Sequence, residues 1–260
     1  MNVKKLFYGI LGCFLFVFPS LAGASTIISD NYWGGAVYNS TSTYYGDVIG
    51  APFFDVTQME VSKSGKNWTV VLTGPYFSNH QNPNVDSGYP SSLGPGDLYI
   101  NSQGWNSTPG QLISGEQHYQ TDTFNSAEGW NYVVTQNAAG AWGLYSLNYS
   151  DITYTTVAPQ YNPSGYIFRK DQAWRGGDLN SAYIGAATYS LSGDTLTFTF
   201  NTGNLNFTDE VGFHWTMQCG NDVIEGKVEV PTTGVPEPAT LLLLGFGLIG
   251  LAGIRRKFNN

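Results

Sequence analysis

Over residues 211–219 apolar positions alternate with polar or small ones at a period of two. Val211, Phe213, Trp215, Met217 and Cys219 point one way; Gly212, His214, Thr216, Gln218 and Gly220 point the other. This pattern predicts a strand with one dry and one wet face. Cys219 is then a small buried hydrophobe, and His214 stands on the wet face, where it could serve as acid, base or ligand. The same periodicity predicts a hairpin of 53–61 and 68–73, in which Trp68, Val70 and Leu72 share a face. A second hairpin, 187–191 with 195–200, turns at Ser192-Gly193-Asp194, and Leu196, Phe198 and Phe200 alternate with three threonines. Segments 97–101, 130–136, 143–147 and 152–157 are further strands, separated by Gly, Pro, Asn and Ser clusters. Many short strands without long crossover helices predict an all-β fold, a single β-sandwich or jelly roll. Trp68 and Trp215, in phase with the core positions, are assigned to its interior.

Two apolar runs show no such alternation. Residues 239–254 carry no charge, and as a helix they would reach about 24 Å at ~1.5 Å per residue. A bilayer core of about 30 Å is slightly longer, a gap that snorkelling of flanking basic side chains bridges. Arg255, Arg256 and Lys257 follow at one end only, which orients the run with these residues in the cytoplasm and the bulk of the chain outside. At the other terminus Lys4 and Lys5 precede the uncharged run 6–18, Pro19 breaks it, and small residues Ala22 and Ala24 occupy the positions a signal peptidase reads. Cleavage is expected after Ala24. The chain then divides into a signal peptide (1–24), a β-sandwich ectodomain (25–231), a linker (232–238), a transmembrane helix (239–254) and a basic cytoplasmic tail (255–260).

Val235-Pro236-Glu237-Pro238, the short glycine-containing apolar run and the terminal basic cluster together resemble the PEP-CTERM sorting signal of Gram-negative bacteria. The resemblance covers only this tail. It implies recognition by an exosortase, a membrane cysteine protease, with processing near Pro236, Glu237 and Pro238. It also implies transient anchoring in the inner membrane and delivery to the cell surface or beyond, in company with extracellular polysaccharide. The signal travels on unrelated cargoes, so it assigns no chemistry to the ectodomain. Residues 213–222 are similar to a stretch in the final strand of some PEP-CTERM ectodomains, which carries no assigned activity.

Composition narrows the ectodomain. Setting aside Lys4, Lys5, Glu237, Arg255, Arg256 and Lys257, the chain keeps 18 acids against 6 bases, a net charge of −12. Such a surface repels nucleic acid, whose binders need basic patches, and favours divalent cations or neutral ligands. Cys13 leaves with the signal peptide, so Cys219 stands alone and no intrachain disulfide can form. His80, His118 and His214 are scattered and build no metal-ligand motif.

The candidate chemistry lies in loops. Asn82, Asn84 and Asp86 space three oxygens loosely as a calcium loop does, but Gly88 comes one place late and no closing Glu follows. Asp171, Asp178 and Asn180 surround a second Gly-rich loop. Calcium is the one cofactor these oxygens suit. Trp33, Trp105 and Trp174 have glycine neighbours that cannot cover an indole. Such rings can stack on sugars while Asn and Asp hold hydroxyls; otherwise they cap the ends of the core. No Gly-x-Ser-x-Gly elbow, His-Glu-x-x-His or phosphate loop occurs. The chain is therefore expected to be a non-enzymatic surface or biofilm-matrix protein associated with extracellular polysaccharide, as a carbohydrate binder or a structural component. The alternative is a polysaccharide-active glycosidase or lyase on a jelly-roll scaffold, which needs a carboxylate pair that spacing cannot reveal.

Overall fold

The computed structural model describes residues 25–30, 54–81, 94–105, 112–113, 116–119, 124–155, 172–176, 183–218, 220, 222–229 and 245. Along the chain these form β1 (Ser25–Ser29), β2 (Gln58–Ser64), β3 (Asn67–Thr73), the short helix α1 (Pro75–Gln81), β4 (Leu98–Asn101), β5 (Leu112–Ile113), β6 (Glu116–Tyr119), β7 (Tyr132–Gln136), β8 (Trp142–Ser146), β9 (Thr153–Tyr154), β10 (Ala173–Arg175), β11 (Tyr183–Ser192), β12 (Thr195–Asn201), β13 (Glu210–Thr216) and β14 (Val223–Glu229). Two 3-10 turns, Ser126–Glu128 and Tyr149–Asp151, lie between strands.

The all-β expectation holds, and both anticipated hairpins form. β2 pairs with β3 across Gly65, and β11 with β12 across Gly193; both glycines have positive φ, the left-handed turn conformation that only glycine adopts without strain. Ten strands make one antiparallel sheet in the order β1-β2-β3-β12-β11-β8-β7-β4-β13-β14. Where two stacked sheets were expected, hydrogen bonding runs unbroken and the sheet curls nearly into a barrel. Its end strands approach each other: β1 packs beside β14, and a Cβ on Gly226 would lie 2.8 Å from Ile28 Cγ2.

Curling encloses the core. One half contributes Met59, Val61, Trp68, Val70, Leu72, Leu196, Phe198 and Phe200; the other contributes Leu98, Ile100, Val134, Leu144, Val211, Phe213, Trp215 and Ile224. Trp68 and Trp215 are fully buried, as their phase predicts. The helix α1 starts at Pro75, where the missing N–H costs nothing, and seats Tyr76 and Phe77 against Trp215 at ring distances of 6.1 and 5.5 Å.

The wet face assigned to β13 is corrected. Residues 211–217 are buried on both faces, and His214 has no exposed surface. A second layer, built from 124–130, 147–155 and β10, covers that side of the sheet. Gly212, His214 and Thr216 are polar or small because this layer is partly polar, and water does not reach them.

Candidate functional site

Strand registry aligns one row of side chains across six strands on the covered face. Tyr183 stands opposite Tyr145, Tyr145 opposite Val133, Val133 opposite Tyr99, Tyr99 opposite His214, and His214 opposite Glu225. Directly opposed residues share a face, so their side chains meet. The row runs from exposed Tyr183 to a buried ionisable end.

At that end His214 Nδ1 lies 2.6 Å from Glu225 Oε2, and Nε2 lies 3.3 Å from the Ala173 carbonyl. The Trp105 indole N–H donates to Glu225 Oε1 at 2.5 Å. Rings wall the imidazole: Phe124 at 4.9 Å, Trp130 at 5.7 Å and Tyr99 at 5.8 Å. Glu128 completes the group from the covering layer. Its Oε2 accepts from the Trp130 indole N–H at 2.9 Å and the Asn125 N–H at 2.8 Å, while its Oε1 has no hydrogen-bond partner among the described residues. The Asn125 bond is half of a capping box that fixes the first turn of Ser126–Glu128.

His214, Glu128 and Glu225 are 0, 1 and 4 % exposed. Burial pushes the Glu225 carboxyl up to about 8, against the opposing pull of the Trp105 donor. Burial and then the charge of Glu225 push Glu128 up to about 7, although Asn125, Trp130 and His214 pull it back. The arrangement can hold protons out of water near neutral pH. As it stands it cannot meet a substrate.

The sequence-selected tryptophans divide. Trp33 lies outside the described residues. Trp105 is half-buried, with its Cβ against Gly212 of β13 and its indole tied to Glu225. Trp174 is half-buried in β10; its carbonyl accepts from the Asp97 N–H at 2.8 Å. Ala173 beside it covers His214, so β10 lies over β13, and the Trp105 ring packs on the same covering layer. Asp86, Asp171 and Asp178 lie outside the described residues, as do Ala22, Ala24 and Cys219.

Another acidic group gathers where sequence gave no signal. Asp30, Asp55 and Asp222 each bring a carboxylate oxygen within 4.8 Å of the others. The pairing of β1 with β2 brings Asp30 beside Asp55, and Asp222 joins them because the end strands of the sheet meet. One Asp222 oxygen accepts from the Val56 N–H. An oxygen-only donor set of this kind suits a hard cation such as calcium. Glu128 and Glu225 were likewise missed. Asn125 and Glu128 at capping-box spacing mark a turn, but nothing local brings it to a histidine far along the chain.

Among the described residues no helix is long and apolar enough to cross a membrane. The apolar run 239–254 lies outside them except for Gly245. Neither the curated proteins nor the solved structures contain a significant match to this chain. A protein-family model does match: the PEP-CTERM protein-sorting motif, over residues 234–257. That span includes Pro236, Glu237, Pro238, Arg255, Arg256 and Lys257, all outside the described residues. Behind a curled all-β domain the chain thus carries the PEP-CTERM protein-sorting motif, which implies an exported Gram-negative protein with a membrane-anchoring signal and an exosortase as its processing partner.

Proposed function

We propose that the mature protein is a non-enzymatic component of the cell surface or extracellular matrix that associates with extracellular polysaccharide. The observation that carries this reading is the pair Trp105 and Trp174, both only half-buried, Trp105 on the layer over β13 and Trp174 in β10 beside it. Partly open indoles beside polar groups suit the flat C–H faces of sugar rings. The strongly acidic ectodomain favours a neutral glycan. The sorting tail supports delivery outside the inner membrane.

A polysaccharide-active enzyme is the second reading. Glu128 and Glu225 are the feature that favours it, because glycosidases work with two carboxyl groups, one of them with a raised pKa. Their burial weighs against it, since a sugar must reach both.

A glycan array probed with the full-length protein in detergent, with and without calcium, separates these readings. Binding is expected on at least one neutral polysaccharide. Trp174→Ala should weaken it about tenfold or more, as loss of one stacking ring does, without release of reducing ends. Silence on every glycan in both conditions would sink the proposal, and sugar release that Glu128→Gln abolishes would favour the enzyme.

The tail is tested separately. Replacing Pro236, Glu237 and Pro238 by alanine together is expected to leave an unprocessed membrane-bound precursor, with mature protein reduced about tenfold or more on an immunoblot. Unchanged processing would show that this motif is not the signal being read.

A further inference from the structure

We propose that residues 124–130 and 147–155 form a proton-gated cap, seated while Glu128, His214 and Glu225 share their protons and released when the cluster gives them up to solvent. This goes beyond the sugar-binding reading and does not depend on it.

The geometry carries the argument. The cap and the sheet meet at ionisable groups: Glu128 comes from the cap, His214 and Glu225 from β13 and β14. Glu128 is buried with one oxygen unpartnered among the described residues. A neutral carboxyl there loses little; a carboxylate there keeps two donors on Oε2 but leaves the charge on Oε1 without one. Glu225 lies close enough to raise the cost further by like-charge repulsion.

Neighbouring elements offer little relief. β4 presents Tyr99, whose hydroxyl is buried without a partner among the described residues, with Asp97 beyond it. Segment 147–155 presents Tyr149 and Tyr154. β10 presents the Ala173 carbonyl, with Arg175 exposed and acting on Asp97. The loop after β4 presents the Trp105 indole. Among the described residues, His214 is the one basic side chain within ion-pair distance of either glutamate.

The cap is also built to move separately. Tyr149 O–H donating to the Trp130 carbonyl at 3.0 Å ties its two segments together. It is fastened to the sheet by ring contacts of Phe124 and Trp130 with Tyr99 and His214 and by Asn101 Nδ2 donating to the Glu128 carbonyl at 2.7 Å, with β9 paired to β10 and the Leu147 N–H donating to the Asn131 carbonyl at its margins. The main core lies on the opposite face of the sheet and shares no residue with it. Local opening along such a division is the usual form of sub-global unfolding.

Hydrogen exchange read by mass spectrometry tests the proposal on the full-length protein in detergent, at pH 5.5 and 8.5, after correction for intrinsic exchange rates. Peptides covering 124–130 and 147–155 should lose protection about tenfold or more at the higher pH. At both pH values they should open more readily than β3 and β12. Glu128→Gln, which keeps the shape and removes the cap's own charge, should weaken the pH effect on the cap, leaving the part that Glu225 and His214 contribute. Cap protection independent of pH would overturn the proposal. So would equal protection of cap and β3–β12 at both pH values, which means opening only by global unfolding. The wild-type comparison decides the matter even if the variant fails to fold.

Discussion

Replacing Trp215 by alanine is expected to lower the unfolding free energy by about 3–5 kcal/mol, the range for removing a buried indole. Trp215 has no exposed surface. It is where the inner face of β13 meets the helix α1, through Tyr76 and Phe77. Its N–H donates to the Gly96 carbonyl at 3.0 Å, so alanine removes a large apolar surface and orphans a buried acceptor together. Relaxation is restricted, because a Cβ on Gly96 would lie 2.0 Å from the Thr216 carbonyl oxygen; backbone already fills that space. Trp215→Phe should lose less, keeping most of the packing but not the hydrogen bond. Urea denaturation of the full-length protein measures both. A loss below about 1 kcal/mol for the alanine variant would mean that the core closes without this ring.

The second large effect belongs to His214. His214→Leu should cost about 1–3 kcal/mol at pH 8.5, as removing the hydrogen-bond partner of a buried carboxylate does, and clearly less at pH 5. The sign follows from the raised carboxyls. Glu128 and Glu225 have an ordinary value of 4.5 and are pushed to about 7 and about 8 in the fold. Between about pH 4.5 and 8 the folded protein therefore holds protons that the unfolded chain has released. Their contribution is fully present below 4.5 and is lost as the pH rises through 7 and 8. Wild-type stability should accordingly fall from pH 5 to 8.5. In the leucine variant the fall should steepen, because Glu225 then ionises without its partner. Thermal melts at several pH values check this. A pH-independent penalty for His214→Leu would show that the histidine acts by packing alone.

Period-two alternation was enough to find β2, β3, β12 and β13. β3 and β12 each bury every second residue, and the predicted shared face of Trp68, Val70 and Leu72 is the buried one. Alternation failed where a sheet is covered twice. In β13 the polar set Gly212, His214 and Thr216 meets a polar inner layer, and a single strand cannot distinguish that layer from water. β14 was missed because Glu225, Gly226 and Lys227 interrupt its apolar run, although Glu225 is buried against His214. The short β9 and β10 pair with each other and sit on the second layer, so their burial depends on residues far away. The candidate site lay beyond reach for the same reason. Glu128, His214 and Glu225 come together through strand order, and strand order is set by the closure of the whole sheet. The sorting tail was legible because its signal is local and compositional.

The contact of Ile28 with Gly226 works as a clasp between the beginning and the end of the exported cargo. It cannot fasten until Val223–Glu229 has crossed the inner membrane, because half of it is carried there. β14 ends at Glu229 and the sorting motif starts at 234, a leash of at most about 18 Å at ~3.5 Å per residue. The processing peptidase therefore meets its cleavage segment beside a cargo whose last-delivered strand is the one that locks it shut.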